Sequence, residues 1–171
     1  MPGKLQAEIQ QTRPFETLEE EAVLNIVRTA EVLQRTVADF LKEFDLSPTQ
    51  YNVLRILRGA GAAGATCSQI GERLLTHDPD ITRLLDRMEA RALIIRERSS
   101  TDRRAIITRI SGDGLKLVDS IDRPIRALTQ LRIGKFGPDA LAGLIAELER
   151  VREAFETESS SVKAVNERKT K

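Results

Sequence analysis

Apolar residues recur at helical spacing along most of the chain. In the first long segment they fall every three or four positions between residues 18 and 44, which predicts one helix with an apolar face along its length. Thr17 followed by Glu20 has the spacing of a capping box, in which each side chain satisfies a backbone group at a helix start. The helix is longer than one small core requires, so part of its apolar face is expected to pack elsewhere.

A second helix is predicted directly after the first. Ser47, Pro48 and Gln50 mark its start, because they combine a capping box with proline at the first helical position. Gly59 and Gly61 mark its end. The stretch GAGAAGA that begins there is interpreted as a flexible connection.

Two short helices then complete a helix-turn-helix pattern. Thr66 and Gln69 have capping-box spacing at the start of the first one. Asp78 as a cap and Pro79 as the first helical residue predict that the second one covers residues 79–91. Two short helices joined by a turn of about three residues form the motif whose second helix lies in a DNA major groove. The candidate DNA-facing side chains of this recognition helix are Asp80, Thr82, Arg83 and Arg87.

A β-hairpin is predicted immediately afterwards, over residues 93–110. The runs LIIRER and AIITRI are short and rich in isoleucine, and a polar tip separates them. A hairpin in this position is the wing of a winged helix-turn-helix domain. At its tip, Asp102 precedes Arg103 and Arg104. We interpret the carboxylate as holding the loop, either through an Asx-type turn or by pairing with Arg104.

The remaining sequence predicts two further helices and a tail. Ser111 has the position of a cap, and Pro124 predicts a kink or break near Asp122 in the helix that follows. Pro138 marks the start of the last helix, and the polar tail over residues 157–171 is predicted to be frayed. The predicted fold class is mainly α with a small β-wing. A winged helix-turn-helix over residues 47–110 and dimerisation helices over residues 15–44 and 111–156 form a single domain spanning residues 1–171.

Charge changes this picture only locally. The chain has a net charge of +1, which indicates no bulk attraction to nucleic acid or membrane. The segment from Arg83 to Arg109, however, holds eight arginines against four acidic residues, a local net charge of +4. This basic segment predicts double-stranded DNA as the partner. Arg83 and Arg87 would read the major groove, Arg104 would reach the minor groove, and Arg103 would contact phosphate or solvent.

The composition leaves few routes to enzyme chemistry. Cys67 and His77 are the only cysteine and histidine, so an internal disulfide and the usual zinc ligands are lacking. We predict a protein that is not an enzyme and needs neither metal nor cofactor. Cys67 is interpreted as a small buried residue and His77 as a polar surface residue. The segments lack the apolar length of a signal peptide or a membrane span, so cytoplasmic localisation is expected.

The chain resembles the MarR family of bacterial winged-helix regulators over roughly residues 15–156. Three stretches carry this resemblance. LSPTQYNVLRIL is similar to the family's second helix, DITRLLDRMEARALIIRER to its recognition helix and first wing strand, and TDRRAIITRISGDG to its wing signature. Two positions depart from the family pattern: Ala92 replaces the usual glycine after the recognition helix, and Gly71 replaces the usual alanine. A residue other than glycine in a left-handed helix cap costs about 1 kcal/mol.

The resemblance implies a homodimeric transcriptional repressor. It would bind a pseudo-palindromic operator through recognition helix 79–91 and wing 93–110. A small aromatic or amphipathic effector, bound between the dimer helices and the winged domain, would release the DNA. Two alternatives stay open: a redox-responsive regulator that uses Cys67, and a helical interaction protein that does not bind DNA.

Overall fold

The computed structural model describes residues 4–76, 78–99, 102 and 104–169, with side chains described as far as residue 157. Its elements are helices α1 (Lys4–Glu8), α2 (Leu18–Leu41), α3 (Pro48–Ala60), α4 (Cys67–Arg73) and α5 (Ile81–Ala90), strands β1 (Ile94–Arg98) and β2 (Ile106–Ile110), and helices α6 (Gly112–Ile133) and α7 (Pro138–Lys169). The strands pair antiparallel, with Ile94 opposite Ile110 and Arg98 opposite Ile106. The predicted class, mainly α with a small β-wing, is confirmed.

The chain forms two compact units, residues 1–125 and residues 126–171. In the first unit, apolar side chains from α2 to α6 form one core, and Leu54, Leu57 and Ile121 are fully buried in it. In the second unit, a short 3-10 turn at Gly134–Phe136 precedes α7. In the part of the chain that the structure describes, no helix combines the length and apolar character needed to cross a membrane.

The predicted capping residues start three helices, and two of the boxes are complete. The complete boxes pair Ser47 with Gln50 and Thr66 with Gln69, at N···O distances of 2.9, 3.1, 2.9 and 3.2 Å. At α2, the Thr17 hydroxyl accepts from the Glu20 backbone N–H, but the Glu20 carboxylate accepts from Glu16 instead of Thr17. These starts are fixed by residues three positions apart, which is why the sequence predicts them well.

Helix α5 begins two residues later than the sequence predicts. The Asp78 carboxylate accepts a hydrogen bond from the Asp80 backbone N–H at 2.9 Å, an Asx-type turn that uses this carboxylate before the helix starts. Pro79 therefore lies in the turn, and α5 spans Ile81–Ala90 rather than residues 79–91. The connection from α4 is also longer than the predicted three residues. His77 lies outside the described residues.

The glycine- and alanine-rich stretch after α3 is attached to the wing and is not a free connection. Residues Gly61–Ala63 form a 3-10 turn, and Ala65 forms an antiparallel bridge with Thr108 at N···O distances of 2.9 and 2.8 Å. Gly64 has a φ of +68°, and a Cβ there would lie 2.6 Å from the Thr108 carbonyl oxygen. Glycine is required at this approach, which brings the start of α4 to β2.

Two predictions for the C-terminal half are corrected. Helix α6 runs from residue 112 to residue 133 without interruption, so the predicted break at Pro124 is wrong. Proline removes a single backbone donor, and the fully buried Ile121 anchors the preceding turn in the core. Helix α7 continues to Lys169, so the described backbone of the tail is helical where the sequence predicted fraying.

Candidate nucleic-acid interface

Helix α5 buries one face and exposes the other. Its buried residues are Leu84, Leu85 and Met88. Thr82, Arg83 and Arg87 lie on the exposed face, as the 3.6-residue periodicity requires. Asp80 occupies the N-cap position without a capping hydrogen bond, and its Oδ2 lies 3.3 Å from Arg83 Nη1. Because these side chains are 53% and 79% exposed, their ion pair contributes only about 0–1 kcal/mol, so DNA could replace it.

The wing tip is held by an Asx-type turn. Asp102 Oδ1 accepts from the Arg104 backbone N–H at 2.9 Å, and the Asp102 carbonyl accepts from Ala105 at the same distance. The structure thus shows the first of the two roles that the sequence allowed for Asp102. The guanidinium of Arg104 is exposed and forms no ion pair with any described residue. Arg103, which was predicted to contact phosphate or solvent, lies outside the described residues.

Arg96 joins the wing to the recognition helix. Its guanidinium lies 2.5 Å from an Asp86 oxygen and 2.7 Å from a Glu89 oxygen, and its backbone N–H donates to Glu89 at 3.2 Å. Hydrogen bonding to Glu89, opposed by burial and supported by Asp86, raises the pKa of Arg96. The Arg96 side chain is only 21% exposed. We call Arg96, Asp86 and Glu89 the Arg96 clamp.

Two further arginines of the basic segment are bound within the protein. Arg91 donates to the Asp45 carbonyl at 2.6 Å and pairs with the Asp45 carboxylate at 3.1 Å. Arg109 donates to the Ala62 carbonyl at 2.8 Å and pairs with Glu97 at 3.0 Å. The charge count from the sequence therefore overstates the cations available to a ligand. Among the described arginines of this segment, those without an ion pair are Arg87, Arg98 and Arg104.

The recognition helix ends in a Schellman motif with an alanine in the left-handed position. Ala92 has a φ of +55°. Its N–H donates to Glu89 at 2.8 Å, and the Leu93 N–H donates to Met88 at 3.0 Å. Ala92 stands at the position where the family usually has glycine, and the helix closes in the usual way despite the alanine.

Ser111 and Gly114 close the base of the wing. The Ser111 hydroxyl accepts from the Gly114 N–H at 2.9 Å and donates to the Ala92 carbonyl at 2.6 Å. A Cβ at Gly114 would lie 2.1 Å from the Leu93 carbonyl oxygen. The Ser111 hydroxyl caps α6. The absence of a side chain at Gly114 lets α6 approach the backbone that follows α5.

A polar cluster between α3 and α6 was not predicted from the sequence. The Tyr51 hydroxyl donates to Asp122 at 2.9 Å, and Arg58 pairs with Asp122 at 2.6 Å and with Asp119 at 2.7 Å. Burial, with added effect from Asp122, raises the pKa of Tyr51 to about 12. Burial alone would raise the pKa of Asp122, but hydrogen bonds from Arg58 and Tyr51 outweigh it and lower that pKa.

A cavity of about 400 Å³ lies beside this cluster, between α2, α3 and the turn before α5. Leu33, Tyr51, Arg55 and Leu75 are among its lining residues. The Arg55 guanidinium carbon is 5.8 Å from the centre of the Tyr51 ring, a cation–π distance. Its described lining residues thus combine mainly apolar walls with one cation, Arg55.

Cys67 is the first residue of α4, half-buried and packed against the core. This placement favours the packing interpretation over the redox alternative. Within the described residues, no cluster of histidine, cysteine and acidic side chains could hold a metal ion.

Comparison with known proteins gives consistent results. A sequence profile described as "MarR family" matches residues 44–105. The chain is 29% identical over 142 residues to YkoM, an uncharacterized HTH-type transcriptional regulator of Bacillus subtilis, with 80% of this chain and 90% of YkoM covered. A MarR transcription factor from Planctomyces limnophilus is 34% identical, with a TM-score of 0.61 over 81% of this chain and 98% of that one. The MepR–DNA complex of S. aureus shares the fold, with a TM-score of 0.70 at 18% identity over 81% of this chain and 99% of that one.

The helix-turn-helix, the wing and these relatives define a DNA-binding transcriptional regulator rather than an enzyme. The chain belongs to the MarR family.

Proposed function

We propose that this chain is a homodimeric repressor whose two α5 helices enter successive major grooves of a pseudo-palindromic operator. The observation that carries the proposal is the distribution of its arginines. Arg87 on α5 and Arg104 on the wing tip are exposed and without ion pairs among the described residues, while the Arg96 clamp fixes helix and wing to each other. MepR, which shares this fold, has been crystallised with DNA.

Each predicted site residue has a distinct role in this proposal. Arg83 and Arg87 donate to guanine in the major groove, where a bidentate contact discriminates bases by about 1–3 kcal/mol. Asp80 and Thr82, at the start of α5, contact neighbouring base edges. These assignments follow from the exposed face of α5, since the N-terminal residues of a recognition helix reach the bases.

The wing contributes through the adjacent minor groove. Arg104 enters that groove, where narrow A/T-rich segments concentrate negative potential. Asp102 aims Arg104 by fixing its backbone N–H, and Arg103 contacts phosphate. The Asx-type turn supports this proposal because it sets the direction of the chain directly before Arg104.

Exposed apolar residues in both units support a homodimer. In the first unit, Leu18 and Val27 of α2 are 81% and 59% exposed. In the second unit, Leu131 of α6 is 80% exposed, and Leu144 and Ile145 of α7 are also exposed. A second subunit that covers these residues would remove the cost of exposing them. Light scattering at micromolar concentration should give twice the mass of the chain, and a stable monomer with or without DNA would refute the dimer.

The cavity beside Tyr51 is our candidate effector site. Its apolar walls suit an aromatic ring, and Arg55 supplies a cation for a carboxylate. An effector weakens DNA binding if it binds better to a conformation in which the spacing of the recognition helices does not fit DNA. The loss of DNA-binding free energy equals the difference between its binding free energies for the two conformations, about 1–3 kcal/mol. Benzoate and phenols should weaken DNA binding by the wild type, and Arg55→Ala should reduce the response to benzoate. Unchanged affinity with every compound would refute this site.

The experiment that tests DNA recognition is a footprint of the purified protein on the DNA upstream of its own gene. Two α5 helices in successive major grooves should protect half-sites about 10–10.5 base pairs apart, centre to centre. Uniform protection without half-sites, at concentrations where random DNA is bound equally well, would contradict sequence-specific recognition of this region. The same footprint with added benzoate or phenols shows whether release follows.

A further inference from the structure

We infer that Arg98, at the end of strand β1, binds the DNA phosphate that lies between the groove read by α5 and the groove entered by the wing tip. The inference rests on the proposed mode of DNA binding. It adds a contact on the stem of the wing, outside the recognition helix and the tip.

The strand alternation places Arg98 on the side of the wing that faces α5. Residues two apart on a strand share a face, so Ile94, Arg96 and Arg98 point to the same side of the hairpin. Ile94 is buried in the core, and Arg96 contacts Asp86 and Glu89 of α5. Arg98 therefore continues this face beyond the Arg96 clamp, where the side chain becomes exposed.

The level of Arg98 along the recognition helix follows from the same contacts. Strand β1 packs on α5. It runs back toward the start of that helix, since Arg96 contacts both Glu89 and, one turn earlier, Asp86. Two further strand residues advance about 6–7 Å, which equals about four residues of helix. Arg98 therefore lies beyond the Arg96 clamp, two residues farther along β1.

No described residue neutralises the charge of Arg98. The adjacent acidic residue, Glu97, points to the opposite face of the strand and pairs with Arg109 at 3.0 Å. Arg98 has no ion pair among the described residues. Its cross-strand neighbour on the exposed stem is Ile106, which offers no charge to neutralise it.

DNA geometry supplies the partner. With α5 in the major groove and Arg104 in the next minor groove, the sugar–phosphate backbone between the grooves must cross the wing stem. Arg98 lies on that stem, on the side that faces α5, and its positive charge is not paired with any of the residues that the structure describes. A phosphate is the negative group that this position meets regardless of base sequence.

The test measures binding to a random-sequence 30-base-pair duplex over a salt series, because a phosphate contact does not depend on the operator. The proposed homodimer carries two Arg98 side chains, so Arg98→Gln should flatten the slope of log affinity against log salt by about 1.8, which is about 0.9 per subunit. Extrapolated from equal binding at 1 M, this corresponds to about sixtyfold weaker binding at 0.1 M salt. Arg98→Lys should keep the wild-type slope, because a lysine also neutralises one phosphate.

Arg123→Gln is the matched control, because it removes an exposed charge from α6 without touching the wing. It should leave the slope unchanged. A wild-type slope in Arg98→Gln, while Arg104→Gln shows a reduced one, would overturn the inference and leave the proposed binding mode intact. Unchanged slopes in both variants would overturn the binding mode itself. Equal thermal unfolding midpoints for the variants exclude loss of folding as the cause.

Discussion

Replacing Ala92 by glycine should stabilise the protein, although it removes a methyl group and loosens the unfolded chain. Ala92 has a φ of +55°, in the left-handed region, where a side chain costs about 1–2 kcal/mol. Glycine also has more conformational freedom than alanine in the unfolded state, which lowers the free energy of unfolding by about 0.4–1 kcal/mol. The Schellman hydrogen bonds use backbone atoms alone and stay in place. We therefore expect Ala92→Gly to raise the free energy of unfolding by about 1 kcal/mol.

Ala90→Gly is the matched control. Ala90 is the last residue of α5 and has no positive φ, so glycine there should destabilise by up to about 1 kcal/mol. The same substitution two residues apart should thus have opposite signs. Urea unfolding at fixed protein concentration measures both, and the melting temperature of Ala92→Gly should rise by about 2–4 °C. Destabilisation by Ala92→Gly would refute the assigned backbone strain.

Three further predictions concern buried contacts. The single tyrosine, Tyr51, should titrate near pH 12 when followed by near-ultraviolet absorbance, and its contribution to stability should be lost between about pH 10 and pH 12. Asp122→Asn should lower the pH midpoint of this titration. A midpoint near pH 10 in the wild type would contradict the buried hydrogen bond. Gly114→Ala should cost about 2–3 kcal/mol in urea unfolding, since its Cβ would overlap the Leu93 carbonyl; a neutral effect would refute that approach. Arg96→Ala should weaken DNA binding more than Arg96→Lys does. Equal binding by both variants would refute a role of the Arg96 clamp in DNA binding.

Local features of the fold could be predicted from the sequence because their causes are local. The Ser47 and Thr66 capping boxes depend on residues three positions away, and the wing follows from two isoleucine-rich runs around a polar tip. The predicted start of α5 was wrong for a local reason as well. Asp78 and Asp80 both precede a helical pattern, and the hydrogen bond between them decides which residue is the cap.

Long-range pairing accounts for what the sequence did not show. Arg96 and Arg109 appear in the sequence as members of a basic segment, yet both are held by acidic partners in the fold. Tyr51 and Asp122 are 71 residues apart, and neither residue alone indicates a buried hydrogen bond. Charge counts locate a basic segment, but only the fold shows which of its cations remain available.

DNA recognition through α5 and the wing is tested by comparing two double variants that remove equal charge. Arg87→Ala with Arg104→Ala removes one exposed cation from α5 and one from the wing, while Lys116→Ala with Arg123→Ala removes two cations from α6. On the upstream DNA across a salt series, the first variant should lose the footprint and flatten the salt slope, because it removes four cations from the proposed homodimer. The second should keep both at wild-type values. Equal loss in the two variants, or an intact footprint in the first, would contradict DNA recognition through α5 and the wing.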